Sequence, residues 1–202
     1  MSSQQHWIDI FQKCQALWIH DNNPRRPHAL LTSGLHSNGF FNSSPVTKNP
    51  MLLESMISDL AFVEMPKQCP GLVDMNALAQ RKNGGVWVIG SAMGAVTIAF
   101  ELARLIKGWA GFTEPMVDAS GKCMVLKRFA LGPADFALVV EDVITTGGTT
   151  MRTLEAISET GADELSRAEQ QYKSDGQLSH FEVVFEKSLA RRSLHTLRRS
   201  ML

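Results

Sequence analysis

The chain has 202 residues, 44% of them hydrophobic and 20% charged, and its 20 basic side chains balance its 20 acidic ones. That composition excludes a disordered tail protein and a polybasic nucleic-acid binder, and it fits a single globular domain, 1–202, near the top of the usual size range. Three cysteines, Cys14, Cys69 and Cys123, share no metal-ligand spacing and are odd in number, which suggests neither a disulfide framework nor a zinc site and fits a reducing cytoplasm. The first twenty residues lack a basic segment followed by a continuous apolar stretch, so no secretory signal is expected. The run Val86–Phe100 is broken by Gly90, Ser91 and Gly94 and is shorter than the roughly 20 residues of a membrane helix, so no membrane association is expected.

Trp7, Ile8, Phe11, Cys14, Leu17 and Trp18 recur at three- and four-residue steps, which predicts an amphipathic helix over 4–19. Asn23-Pro24 and Pro27 break that pattern, and the short apolar pieces Ala29-Leu30-Leu31 and Phe40-Phe41 read as a hairpin. Asn49-Pro50 supplies a cap and a first-turn proline for a second helix reaching about Met65. A loop with Pro66 and Pro70 and a short helix over 73–80 follow. From Val86 the organisation changes. Val86–Ile89, Trp109–Thr113, Met124–Leu126 and Phe136–Val140 have strand length and apolarity, while 94–107 and 147–159 have helical spacing. Strands alternating with helices predict a parallel sheet covered on both faces, with its core over 84–160 and the helix and hairpin elements of 1–65 before it. Residues 161–180 show little period, Phe181–Phe185 could form a strand, and 187–199 is a basic segment, either a solvated helix or a surface for an anionic partner.

The segment richest in chemistry is Leu138-Val139-Val140-Glu141-Asp142-Val143-Ile144-Thr145-Thr146-Gly147-Gly148-Thr149-Thr150. Carboxyl ends of parallel strands open into ligand crevices, so Glu141 and Asp142 can accept hydrogen bonds from vicinal sugar hydroxyls. Gly147 and Gly148 let backbone amides approach an anion, and Thr145, Thr146 and Thr149 add hydroxyls at the positive end of the next helix. Sugar hydroxyls beside a phosphate describe a ribose 5-phosphate. No lysine follows the glycines, so this is not a P-loop. The stretch resembles the phosphoribosyl-pyrophosphate signature of type I phosphoribosyltransferases. The resemblance gives meaning to Ser91-Ala92-Met93-Gly94, a small-residue turn between a strand and a helix, because the equivalent loop of that family holds pyrophosphate.

Two further segments are similar to orotate phosphoribosyltransferases, and with the signature they cover most of 28–160. Leu31-Thr32-Ser33-Gly34-Leu35-His36-Ser37-Asn38-Gly39-Phe40-Phe41-Asn42 looks like the family's N-terminal hood, and Phe112-Thr113-Glu114 with Met124–Phe129 looks like its strand, mobile loop and return strand. The resemblance implies an α/β fold, a parallel sheet flanked by helices with a small N-terminal hood. It implies an enzyme that transfers phosphoribosyl from phosphoribosyl pyrophosphate to a base such as orotate, in pyrimidine nucleotide synthesis. The implied sugar-diphosphate contacts are Glu141, Asp142, Val143, Ile144, Thr145, Thr146, Gly147, Gly148, Thr149, Ser91, Ala92, Met93 and Gly94. Base contacts are implied at Ser33, Gly34, Phe40, Phe41 and Thr145, although Phe40 and Phe41 could equally be core residues and His36 either a surface histidine or a contact. Magnesium held mainly through substrate oxygens, a homodimer and closure of a basic loop are implied as well.

The chain departs from that pattern twice. Pro115 stands where a lysine usually follows the glutamate, which leaves Lys122, in the expected loop 116–123, as the candidate catalytic residue for the missing pyrophosphate contact or else a solvated lysine. No apolar strand ending in Asp-Arg follows Gly161-Ala162, and neither Arg152 nor Arg167 matches that motif, so 161–202 is atypical. Three readings stay open on sequence alone: the orotate enzyme, a phosphoribosyltransferase for another base, and a non-catalytic relative that binds the sugar diphosphate or a nucleotide as a regulator.

Overall fold

A computed structural model of the chain describes residues 3–30, 34–64, 85–119, 121–132, 135–144 and 147–160. The helix expected over 73–80 and the segment 161–202, with its expected strand and basic helix, lie outside the described residues. The chain divides into two compact units, 1–53 and 54–202.

In the first unit, α1 (Ser3–Lys13) buries Trp7 and Phe11. It stops well short of the expected residue 19. Gln15 adopts a left-handed φ of 56°, the Gln15 amide donates to the Gln12 carbonyl and the Ala16 amide to the Phe11 carbonyl. That pair of bonds closes a helix by satisfying its last carbonyls. The chain then extends into β1 (Leu17–Ile19), which pairs antiparallel with β4 (Gly39–Phe41), Trp18 opposite Phe40 and Leu17 opposite Phe41. Between them, β2 (Ala29–Leu30) pairs with β3 (His36–Ser37). The expected hairpin is therefore two nested two-stranded ribbons. α2 (Ser44–Thr47) follows with Pro45 in its first turn, where a missing amide costs nothing. The Asn49 side chain accepts from the Met51 amide at 3.1 Å and caps α3 (Pro50–Asp59). One π-helical turn, Leu60–Glu64, ends that helix, and Met56, Ile57, Leu60 and Ala61 are buried, so the residues from Glu54 group with the second unit rather than with the hood elements expected through 65.

The second unit is built on β5 (Val86–Ser91), β6 (Trp109–Asp118), β7 (Gly121–Val125) and β8 (Phe136–Val140), in the order β7-β6-β5-β8. β5 runs parallel to β6 and β8, while β7 is antiparallel to β6. The sheet is mixed rather than wholly parallel because the expected loop 116–123 is itself paired. Val117 lies opposite Lys122 and Asp118 opposite Gly121, whose φ of 122° suits glycine. Pro115 falls where β6 has run past its last partner on β5 and keeps only β7, the edge setting in which a strand tolerates a missing donor.

Two helices cover the sheet. α4 (Val96–Ile106) packs on β5 and β6, and α5 (Gly148–Ser158) packs on β7 and β8. Alternation along β5 serves both. Gly90 faces α4, where a Cβ would come within 2.5 Å of the Ala95 carbonyl oxygen, so only glycine lets the chain turn back so tightly. Ile89 faces α5 and joins Ala137, Val139, Leu131, Leu154 and Ile157 in one buried cluster, against which Trp87, Leu126, Phe129 and Met151 pack.

Candidate active site

Strand register sets side chains in rows across the α5 face of the sheet. Ile89 is level with Gly111 and Val139, an apolar row. Two residues further along each strand the row becomes polar. Ser91 is level with Thr113, and Glu141 is the residue immediately beyond Val140, the partner of Gly90. All three polar side chains are buried, Glu141 at 7% exposure and Ser91 and Thr113 at 1% and 0%. Above them the inner stripe of α5 runs Thr150, Thr153, Leu154, Ile157, so its first turns meet the polar row with hydroxyls and its later turns meet the apolar row with hydrocarbon. Thr153 Oγ1 lies 2.9 Å from Thr113 Oγ1 and 3.1 Å from Ser91 Oγ.

Glu141 is the chemically unusual member. Burial pushes its carboxyl up to about 7, the nearby Ser91 hydroxyl opposes that rise, and the adjacent Asp142 charge adds to it. The Asp142 amide donates to Glu141 Oε1 at 3.3 Å, whereas buried Glu141 Oε2 and Thr150 Oγ1 have no partner among the described residues. A buried acceptor without a donor is costly in a closed core, and here it marks the edge of a place where a ligand donor is wanted.

The turn 91–95 and the signature touch at Gly94. A Cβ on Gly94 would overlap the Asp142 carboxylate. The Ala92 amide donates to the Thr113 carbonyl at 2.9 Å, the Ala95 amide to the Ser91 carbonyl at 3.2 Å, the Ala92–Met93 peptide is cis, and Met93 is exposed. After Glu141 and Asp142 come half-buried Val143 and Ile144, then Gly147 with a left-handed φ of 77°, from which α5 starts at Gly148. No described residue accepts from the first amides of α5 at Gly148 and Thr149. They form the positive end of an eleven-residue helix, suited to an anion.

Of the residues singled out in the sequence, the structure thus brings Ser91, Ala92, Met93, Gly94, Glu141 and Asp142 together at the carboxyl ends of β5 and β8, with Gly147, Gly148 and Thr149 at the start of α5. Thr145, Thr146 and Ser33 lie outside the described residues. Gly34 (φ 80°), Phe40 and Phe41 belong to the first unit. There Phe41 packs edge-on against Phe11 with ring centres 5.0 Å apart, while half-exposed Phe40 lines a pocket of about 220 Å³ together with Trp18, Pro27, His28 and Ala29. Lys122 stands exposed on β7, and Lys127 and Arg128 pair with Glu114 at 3.8 and 2.9 Å. Sequence reasoning missed Thr113, Thr150 and Thr153. The signal for the latter two was present, as hydroxyls at i and i+3 on the stripe that Leu154 and Ile157 continue.

Among the described residues no group of three His, Cys, Asp or Glu side chains is placed to hold a metal ion, and no helix is long and apolar enough to cross a membrane. Paired acids at the sheet's carboxyl edge, a small-residue turn against them and a glycine-started helix beyond offer hydroxyl acceptors beside two anion sites. In overall fold the chain is similar to solved type I phosphoribosyltransferases. The orotate phosphoribosyltransferase of Aeropyrum pernix matches with a TM-score of 0.52 at 21% identity, covering 76% of this chain and 73% of that one. The adenine phosphoribosyltransferase of Trypanosoma brucei matches with a TM-score of 0.52 at 12% identity, covering 87% and 76%. These likenesses define the fold of the chain as that of the phosphoribosyltransferases.

In sequence, the chain is 32% identical over 162 residues to the orotate phosphoribosyltransferase of Desulforamulus reducens, covering 80% of this chain and 71% of the relative. It is 30% identical over 188 residues to that of Heliobacterium modesticaldum, covering 93% and 85%. No protein-family model matches the chain. On these relatives the chain belongs to the orotate phosphoribosyltransferase family.

Proposed function

We propose that this protein transfers the phosphoribosyl group of phosphoribosyl pyrophosphate to orotate, releasing pyrophosphate, and that the sugar diphosphate sits against Glu141 and Asp142. The observation that carries the reading is the buried Glu141 Oε2, which has no donor among the described residues, at the strand end beside Asp142. In this reading the two acids accept from the ribose hydroxyls, the start of α5 takes the 5-phosphate, and Ser91–Gly94 takes the pyrophosphate. The bond from the anomeric carbon to the pyrophosphate oxygen breaks and the electron pair leaves with pyrophosphate. A bond from that carbon to the base nitrogen forms, and the nitrogen's proton passes to solvent. Such a reaction passes through an oxocarbenium-like state, so positioning and anion stabilisation matter more than a strong base.

The residues present fit magnesium of a particular kind. Two adjacent carboxylates without a third ligand make a poor closed cage, but they suit an ion that keeps water and substrate oxygens as most of its shell. Asp142, half exposed, and Glu141 are the side chains that would face it, and when bound it neutralises charge on the diphosphate. Lys122 is our candidate for a further contact to that diphosphate, carried on the β6–β7 hairpin. A homodimer is the assembly we expect from the family.

The test is pyrophosphate release from magnesium and phosphoribosyl pyrophosphate with a panel of bases. Release with orotate well above that with uracil, adenine or hypoxanthine is expected. Release that prefers another base would overturn the acceptor, and bound sugar diphosphate with no release for any base would overturn catalysis.

A further inference from the structure

We propose that Thr153 is a positioning residue that fixes the spacing of the two anion sites: its hydroxyl ties α5 to the ends of β5 and β6, so the start of the helix and the turn Ser91–Gly94 stay at the separation one doubly anionic ligand requires. The inference rests on the reading that phosphoribosyl pyrophosphate spans those two places.

Thr153 lies on the inner stripe of α5, five residues past Gly148 and so about 7.5 Å along the axis from the helix start. Thr153 Oγ1 is 3.1 Å from Ser91 Oγ and 2.9 Å from Thr113 Oγ1. Both of those residues also hold the turn through their backbones. The Ser91 carbonyl accepts from the Ala95 amide and closes the turn, while the Thr113 carbonyl accepts from the Ala92 amide and ties the turn to β6. One hydroxyl on the helix thus meets the side chains of the two residues whose carbonyls set the turn.

The rest of the contact between α5 and this sheet face is hydrocarbon, with Leu154 and Ile157 against Ile89 and Val139. Apolar contact has no direction, whereas a hydrogen bond weakens steeply when its partners slide out of line. The hydrocarbon row therefore sets how closely the helix packs, and the hydroxyls set where it stops along its axis. Burial argues against mere filling. Thr153 and Thr113 are 0% exposed and Ser91 is 1% exposed, and valine would occupy the place of Thr153 without the cost of desolvating a hydroxyl.

Spacing matters only to a ligand that engages both places. The second contact of a linked ligand is favourable when the two sites match the span between its ends, and that gain is lost when they do not. Pyrophosphate alone, or ribose 5-phosphate alone, engages one place and is indifferent to the distance to the other.

The test measures by calorimetry, with magnesium present, the Kd of phosphoribosyl pyrophosphate, pyrophosphate and ribose 5-phosphate for wild type, Thr153→Val and Thr153→Ser, with a thermal midpoint for each protein. Thr153→Val is expected to weaken phosphoribosyl pyrophosphate about three- to tenfold, the scale of one hydrogen bond, and each fragment by less than about twofold. Thr153→Ser, which keeps the hydroxyl, is expected to stay within about twofold of wild type for all three. Wild-type affinity for phosphoribosyl pyrophosphate in Thr153→Val, an equal weakening of the fragments, or a Thr153→Ser as impaired as Thr153→Val would each overturn the proposal. If Thr153→Val does not fold, Thr113→Val removes one of the two bonds from the strand side. A smaller weakening confined to phosphoribosyl pyrophosphate then supports the proposal, and unchanged affinity rejects it. Glu141→Gln separates the two levels. Unchanged affinity for phosphoribosyl pyrophosphate in that variant would sink the reading of the site and the spacing role with it, whereas a loss there beside wild-type affinity in Thr153→Val would sink the spacing role alone.

Discussion

Burial outweighs the opposing influence of the nearby Ser91 hydroxyl and holds the Glu141 carboxyl up at about 7. A folded pKa raised above the unfolded value of about 4.3 means that the native state holds the proton more tightly. The stability this group contributes is thus fully present below the unfolded value and is lost as pH rises through 7. Sugar hydroxyls donate to the ionised form, so binding should move the other way. The KM for phosphoribosyl pyrophosphate is expected to fall as pH rises through about 7, and Glu141→Gln is expected to flatten that step. Comparing the two pH profiles removes the titration of the substrate's own phosphates, and an identical step in both proteins would refute the assignment. Glu141 and Asp142 were legible in the sequence because two acids directly follow a strand-length apolar run. Thr113 was not, since its place beside Ser91 is set by register between β5 and β6, a pairing that no local pattern encodes.

The β6–β7 hairpin shows the same division between local and non-local information at the scale of elements. Strands β5 and β8 and helices α4 and α5 were readable because buried strands and amphipathic helices leave distinct periods. The hairpin was read only as a strand, a loop and a return strand, and the pairing of 116–118 with 121–123 was not, because Ala119-Ser120-Gly121 reads as loop and that pairing depends on β6 running on past Thr113. Lys122 is consequently held on a strand rather than in a free loop. Lys122→Ala is expected to lower kcat by tenfold or more and change the KM for phosphoribosyl pyrophosphate little, and unchanged turnover would remove Lys122 from the mechanism. The entry to β8 is secured differently. Asp135 accepts from the Gly132 amide at 2.8 Å and the Gly85 amide at 2.6 Å, and these two bonds hold its carboxyl below the ordinary carboxylate range. A depressed folded pKa gives stability that is present above the unfolded value of about 3.9 and is lost as pH falls through the folded one. Asp135→Ala should therefore cost about 1–3 kcal/mol at pH 7 by orphaning two amides. Melting curves should show the gap between variant and wild type closing below about pH 4, and a gap independent of pH would contradict the account.

For the molecule as a whole, the chain divides into units 1–53 and 54–202. The short ribbons of the first unit carry two or three residues each, too few to show alternation, so their nesting emerged only with the structure. Ligand should stabilise the whole by mass action. Magnesium with phosphoribosyl pyrophosphate at about 100 times its Kd contributes about 2.7 kcal/mol, which for a chain of this length corresponds to a rise of roughly 5–11 °C in Tm. Chelating the metal should abolish the rise, and a shift that survives chelation would argue against magnesium-dependent binding. The unpartnered Glu141 oxygen also sets what this pocket refuses. On the proposed reading, a 2-deoxy analogue brings one donor fewer to a site where Glu141 is buried, so the missing hydroxyl leaves an acceptor stranded rather than simply a contact forgone. On the proposed reading, the choice of ribose over deoxyribose is therefore made where the acids meet the sugar.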